Sequence, residues 1–328
     1  MATGQYFSIE ISVLKATDKH ITFDVYLKLS DTNYAHVFSK STGIDFKRLN
    51  SYRDKGVREF YVRNEDKPQY DEFLANRPES IISNPNASNT KKAAALLSLA
   101  EQNLSDIFSS LQPQMTLQEE AAEAAKKLVF NFTRVLSKDP KSLALMLKVA
   151  AHGDYLYYHS LSVSVVSLFI AKACGVASLR LMEVCGLGGL LHDIGCALLP
   201  REILDSPSAL TAAQWKEMRQ HPHYSVKLIE GIRAIPDEVR FILAQHHEEP
   251  RGSGYPAGLR GGVIFFPAKI VALADAFCAL TSKRPYRNAY TVEQALNIIK
   301  HDSGKWDAEL IKILVQIFEQ KKPSKAAA

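Results

Sequence analysis

The sequence predicts a mostly α-helical protein led by a small α+β domain, and three observations carry that prediction. Strand-like runs of β-branched and aromatic residues are confined to about the first 75 of the 328 residues. From Lys91 to Lys138 the chain is rich in Ala, Leu, Glu, Gln and Lys, the strong helix formers. Beyond that, helix-start signals recur as far as Lys322.

In the first region, ITFDVYLKLS (Ile21 to Ser30) and REFYVR (Arg58 to Arg63) read as strands. FKRLNSYRDKGV between them reads as a helix, with Gly56 just past its end in the usual C-cap place. The polar turn formers NPNASNT, Asn84 to Thr90, mark a linker. The expected organisation is a small α+β domain over 1–85, linker helices over 86–138 and a helical domain over 139–322.

In that helical domain, Thr211 with Gln214 and Thr291 with Gln294 have the spacing of capping boxes. Pro222, Pro236 and Pro267 stand where a first helical residue would, because the missing N–H costs nothing there. PRGSGYPAGLRGG, Pro250 to Gly262, carries five glycines and two prolines and must be a loop. Such a loop in a helical domain turns a corner or approaches a ligand.

Composition narrows the function classes. A hydrophobic share of 46% with 23% charged residues is that of a soluble globular protein. No run of about 20 uncharged apolar residues is read as a membrane span, and MATGQYFSIEIS has neither a basic nor an apolar signal region. The expected location is the cytoplasm. Cys174, Cys185, Cys196 and Cys278 form no C-x-x-C pair, so they are expected as buried small hydrophobes. A net charge of +5 is too mild for bulk nucleic-acid binding.

The chemistry lies in histidine and aspartate. His192–Asp193 ends the apolar run LMEVCGLGGLLHD, His221 precedes Pro222, and His246–His247 closes the helix expected from Pro236. Asp275 interrupts the apolar run KIVALADAFCAL, and His159 opens HSLSVSVVSLFIAK. A lone histidine at a helix end is usually a cap or a surface residue. A carboxylate in an apolar helix is more telling, because burying it unpaired is costly. Nitrogen and oxygen donors without thiolate favour Zn, Fe, Mn or Ni in a catalytic rather than a structural site. Seven candidate donors are too many for one ion, and two ions sharing Asp193 is the economical arrangement. Such pairs acidify a bound water and clamp a phosphodiester.

These residues together resemble the HD-GYP family of bacterial cyclic-di-GMP phosphodiesterases, a branch of the HD superfamily. The likeness runs from about His159 to Asp307 and rests on HS at 159–160, LLHDIG at 190–195, HP at 221–222 and QHHE at 245–248. It continues through GSGYPAGLRG at 252–261, LADAF at 273–277, ALTSKRPYR at 279–287 and SGKWD at 303–307. The resemblance implies an all-helical HD-type domain holding two transition-metal ions, iron first and manganese as the alternative. The implied ligands are His159, His192, Asp193, His221, His246, His247 and Asp275, with His192 and Asp193 at the centre of catalysis. It implies substrate contacts from Gly254, Tyr255, Arg284 and Arg287, since guanidinium groups suit phosphate oxygens and aromatic rings suit bases. The first 75 residues also resemble, more loosely, a module found ahead of some HD-GYP domains.

The implied activity is hydrolysis of cyclic-di-GMP to pGpG and onward to GMP. The chain departs from the family's pattern at Cys196, where a lysine is usual, and at Arg251 and Cys278, where aspartates are usual. Tyr155 stands where some members have a third-metal glutamate. These departures favour, as the alternative, a weakly catalytic domain that binds the dinucleotide or docks a protein through its GYP loop. Hydrolysis of another phosphoester is the third reading, and the QHHE and GSGYP elements count against it.

Overall fold

The computed structural model describes residues 5–14, 20–30, 32–88, 91–92, 94–96, 98–100, 104, 107, 116–138, 155–204, 206, 208–282 and 287–319. The chain divides into two compact units, Met1–Ala87 and Ser88–Ala328.

The first unit is a four-stranded antiparallel sheet with helices on one face. Its strands are β1 (Tyr6–Glu10), β2 (Val25–Lys28), β3 (Tyr34–Phe38) and β4 (Glu59–Arg63), in the order β1-β4-β2-β3. Between β3 and β4 runs α1 (Phe46–Asp54), capped by Asp45, whose carboxylate accepts from Arg48 N–H at 3.1 Å. Gly56, at φ +81°, ends the turn that follows it. After β4 come α2 (Lys67–Ala75) and α3 (Pro78–Ser83). Phe60, Val62, Ile9, Val25 and Val37 alternate onto the buried face with Phe23, Leu49 and Tyr70. The opposite face carries a tyrosine cluster in which Tyr6 stacks on Tyr34 at 4.2 Å.

The sequence reading underestimates this sheet. β1 and β3 were not expected, although YFSIE alternates. The strand expected over 21–30 is regular only at Val25–Lys28, because Ile21 and Phe23 enter the core from an irregular segment.

The second unit is helical. Its labelled helices are α4 (Glu119–Lys138), α5 (Tyr155–Ala173), α6 (Leu179–Leu191), α7 (Ala212–Met218), α8 (His221–Leu228), α9 (Val239–Gln245), α10 (Phe266–Thr281), α11 (Val292–His301) and α12 (Ala308–Glu319). Both capping boxes form, at Thr211 with Gln214 and at Thr291 with Gln294. Pro222 and Pro267 occupy the first turns of α8 and α10. Pro236 does not start a helix: it heads a turn whose carbonyl accepts from Val239 N–H at 3.0 Å, and α9 begins only there. Likewise His159 does not open its helix, which runs from Tyr155.

α6 is the centre of the unit, and its glycines explain why. Gly186, Gly188 and Gly189 each cost about 1 kcal/mol relative to alanine in a helix interior. In return three neighbours approach closely. A Cβ on Gly186 would strike Val129 of α4, and one on Gly188 would strike Ile242 of α9. One on Gly189 would lie 2.8 Å from the Cα of Ser164 on α5. Ser164 Oγ then donates to the Gly186 carbonyl at 2.7 Å, tying α5 to α6.

α4, expected as a linker, contributes to this packing: Leu128, Val129 and Phe132 are fully buried. Just before it, Leu117 N–H donates to the Leu228 carbonyl at 2.9 Å. The segment Leu179–Leu198 is long and apolar enough to cross a membrane by composition, but 72% of it is buried within the fold. It reads as a core helix.

Candidate metal centre

Five elements deliver seven side chains to one place. The histidines come from within α5 (His159), the end of α6 (His192), the first residue of α8 (His221) and the residues just past α9 (His246, His247). Asp193 follows His192, and Asp275 lies in the middle of α10. All of the ligand residues expected from the sequence are thus brought together, in two groups. The donor atoms of Asp193, His221, His246 and His247 lie within 4.8 Å of one another, as do those of His159, His192 and Asp275.

Asp193 faces both groups. Its Oδ1 stands 3.3 Å from His221 Nε2 and 3.7 Å from His246 Nε2, while Oδ2 stands 3.2 Å from His192 Nε2. Asp275 Oδ1 lies 2.9 Å from His159 Nε2 and 3.9 Å from His192 Nε2.

The backbone fixes three of the rings. Nδ1 of His192, His221 and His246 reaches the carbonyl three residues earlier, at Gly189 (2.9 Å), Met218 (2.8 Å) and Leu243 (3.0 Å). A carbonyl only accepts, so each Nδ1 carries the hydrogen and each Nε2 of a neutral ring is a bare lone pair. Two such lone pairs, on His221 and His246, face each other 3.2 Å apart. Between neutral rings that contact is repulsive, and a cation bound between them would relieve it. Nε2 of His192 is fully buried and makes no hydrogen bond of proper geometry, although Asp193 is beside it. The residues present therefore fit a metal, and a donor set of imidazoles and carboxylates suits a divalent transition ion.

Electrostatics agree. Burial disfavours the imidazolium at His192, but the Asp193 and Asp275 carboxylates outweigh it and its pKa is pushed up to about 9. His192 thus sits where a positive charge is stabilised. Burial would raise both carboxylates, yet the surrounding histidines hold Asp193 and Asp275 well below the usual range. Burial pushes His247 and His221 down, leaving them neutral, the form that ligates.

The glycine-rich loop closes over this cluster. Gly254 passes so near the backbone of His247, Glu248 and Glu249 that a Cβ would collide with it. Tyr255 N–H donates to the His247 carbonyl at 3.1 Å, and the Tyr255 ring stacks on the His247 ring at 4.6 Å with 22° between planes. Sequence reasoning gave Glu248 no role, but it is the loop's anchor. Only 3% exposed, it accepts Ala257 N–H at 2.7 Å on Oε1 and Leu259 N–H at 2.8 Å on Oε2. Ser225 was missed as well. Its hydroxyl donates to the His192 carbonyl and accepts from Gly195 N–H, both at 2.9 Å, locking α8 to the turn that carries Asp193.

The remaining sites are mixed. Arg287 is turned toward the end of α10, donating to the Ala279 carbonyl at 2.8 Å and the Leu280 carbonyl at 3.1 Å, with Tyr290 against its guanidinium. Arg284 lies outside the described residues. Cys196 is buried; burial first, then Asp193, pushes its thiol up, so it stays neutral. Cys278 is buried one turn beyond Asp275. Arg251 lays its guanidinium where a Cβ on Gly304 would be, joining the loop to the SGKWD segment.

Comparison with known proteins gives the chain's relatives. Residues 156–310 match the HD domain family model. A 3'3'-cGAMP-specific phosphodiesterase of Vibrio cholerae is 31% identical over 186 residues, 55% of this chain and 42% of that protein. The cyclic di-GMP phosphodiesterase PA4108 of Pseudomonas aeruginosa is 29% identical over 192 residues, 58% of this chain and 46% of that one. The chain thus spans less than half the length of these two relatives. The solved structure of Bd1817, an HDG"Y"P protein from Bdellovibrio bacteriovorus, superposes on 96% of this chain and 99% of its own. Its TM-score is 0.64 at 22% identity, which speaks to the fold alone. Residues 156–310 are thus similar to HD domains, including those of cyclic-dinucleotide phosphodiesterases, and the His/Asp cluster built on the expected motifs lies within that stretch.

Proposed function

We propose that the helical unit is a metal-dependent phosphodiesterase of cyclic dinucleotides, cleaving cyclic-di-GMP to pGpG and onward to GMP. The observation that carries this reading is the Asp193 carboxylate, which offers one oxygen to each of two donor groups. That arrangement suits a pair of ions, iron first and manganese as the alternative, held by His159, His192 and Asp275 on one side and His221, His246 and His247 on the other. When bound, such a pair supplies Lewis acidity to the phosphoryl group and an acidified water.

The chain's own residues do the rest. The Nδ1–carbonyl bonds aim the Nε2 lone pairs inward and remove the freedom to turn away. His192, His221 and His246 are nearly sealed from solvent, whereas the side chains of Asp193 (21% exposed) and Asp275 (19%) mark the open side. Substrate phosphates would enter there. Tyr255, stacked on His247 and held by the loop that Glu248 anchors, walls that entrance and suits a base.

A second reading has its own observation. The side chain of Cys196, three residues after Asp193 and close to its carboxylate, is a buried thiol rather than a cation, which favours a slow enzyme that acts as a dinucleotide receptor. The two are separated by incubating iron- or manganese-loaded protein with cyclic-di-GMP and following binding and product by chromatography. Binding with product supports the enzyme, binding without product the receptor, and neither overturns both.

A further inference from the structure

We propose that Arg219 is a phosphate-binding residue of this site, an inference that rests on the phosphodiester reading above. Arg219 lies in the turn between α7 and α8, two residues before His221. That turn is held on both sides: Arg219 N–H donates to the Trp215 carbonyl at 3.1 Å, and the Met218 carbonyl accepts from His221 Nδ1 at 2.8 Å. The backbone of residue 219 is thereby fixed to the donor cluster.

Its side chain points to the same place. The Arg219 Cζ stands 5.2 Å from the centroid of the Tyr255 ring. That ring stacks on His247 and lies 6.4 Å, edge to face, from His221. Arginine, tyrosine and histidine thus form a layered column from solvent down to the donor cluster. A guanidinium on an aromatic face keeps its N–H edges free in the ring plane's direction, because the contact uses its π surface.

Among the described residues those edges have no partner. Arg219 is exposed, and among the described residues it makes no ion pair and donates no side-chain hydrogen bond. Exposed arginines without partners are common on surfaces, but this one is positioned by a ring that itself touches the cluster. The need for a cation is also specific. Arg287 already spends donors on the Ala279 and Leu280 carbonyls, and position 196 is a cysteine rather than a basic residue. A cyclic dinucleotide carries two phosphates, and a planar fork meets phosphate oxygens in a bidentate way. Arg219 is placed to take the phosphate, or the half of it, that the metal donors do not.

The test uses full-length, metal-loaded protein and three variants, Arg219→Ala, Arg219→Lys and Cys196→Lys combined with Arg219→Ala. Calorimetric affinity is measured for cyclic-di-GMP and, separately, for inorganic phosphate, with metal content checked in each. Arg219→Ala is expected to weaken both ligands about 10- to 100-fold, the size of one charge-assisted contact, at unchanged metal content. Arg219→Lys should recover part of the loss, and the double variant should recover phosphate affinity if charge is what is missing. Parent-like phosphate and dinucleotide affinity in Arg219→Ala would overturn the proposal while leaving the phosphodiester reading intact. A parent that binds phosphate in an Arg219-dependent way but ignores cyclic-di-GMP keeps the anion site and rejects the substrate class. A parent that binds neither overturns both.

Discussion

Glu248 is the residue whose chemistry is most exposed to a single-atom change. Its two oxygens each take one backbone N–H of the loop, from Ala257 and Leu259, in a buried setting. Glu248→Gln keeps the size and one acceptor but turns an NH2 toward the other N–H. A charged acceptor lost in a buried place costs about 1.5–3 kcal/mol. The variant should therefore melt several degrees lower and bind cyclic-di-GMP more weakly, because Tyr255 is carried by the same loop. Metal content should hold, since Glu248 is not among the donors. Thermal unfolding beside metal analysis checks this, and an unchanged melting temperature would show that the loop has another anchor. In the sequence Glu248 is only the last letter of the QHHE element, with no role attached, and the fold alone shows that it is buried. Arg287 illustrates the converse. Its charge is legible, but a sequence does not say which acceptor a guanidinium will meet, and here two are main-chain carbonyls.

At the scale of elements, the features that were legible are local and the ones that were not are contacts. The capping boxes at Thr211 and Thr291 form because both partners lie within one turn, and the HD, HH and HP dipeptides place donors at helix ends by the same local logic. Pro236 misled because a proline suits a turn as well as a helix start. The glycines of α6 were read only as part of a run, because the atoms they accommodate belong to α4, α5 and α9, far away in sequence. Gly189→Ala makes the contrast measurable. Helix propensity alone predicts a gain of about 1 kcal/mol. The Cβ would however stand 2.8 Å from the Ser164 backbone, which cannot yield as a side-chain end can. Overpacking of this kind costs about 1–3 kcal/mol, and the displaced helix end carries His192 and Asp193. The expected result is net destabilisation with reduced metal content, read by denaturant titration and metal analysis. A stabilised variant with full metal would mean that α5 and α6 can separate at no cost.

At the scale of the molecule, the question is where the helical unit begins. Composition alone put the start of the HD-type domain near residue 139 and treated α4 as a connector, because a helix rich in Ala, Glu and Lys resembles a spacer. The structure divides the chain between Ala87 and Ser88, and α4 is amphipathic, with one face inside the second unit. Leu128, Val129 and Phe132 are fully buried and Leu136 is 3% exposed. At about 1.5–3 kcal/mol for each such side chain, removing them exposes roughly 6–12 kcal/mol of burial, comparable to the whole stability of about 5–15 kcal/mol typical of a domain. The Glu119 carboxylate adds two contacts, accepting N–H groups of Arg233 at 3.1 Å and Ala234 at 2.7 Å. Two fragments therefore should behave differently. One starting at residue 88 should be soluble, helical by circular dichroism and able to keep its metal. One starting at residue 139, which retains all seven donor residues, should aggregate or lose its ions. Limited proteolysis of the full chain should cut near Asn84–Ala87, whose first three residues are exposed, and leave the longer fragment. If the shorter fragment instead folds with a full metal complement, α4 is dispensable and the donor helices hold the site by themselves.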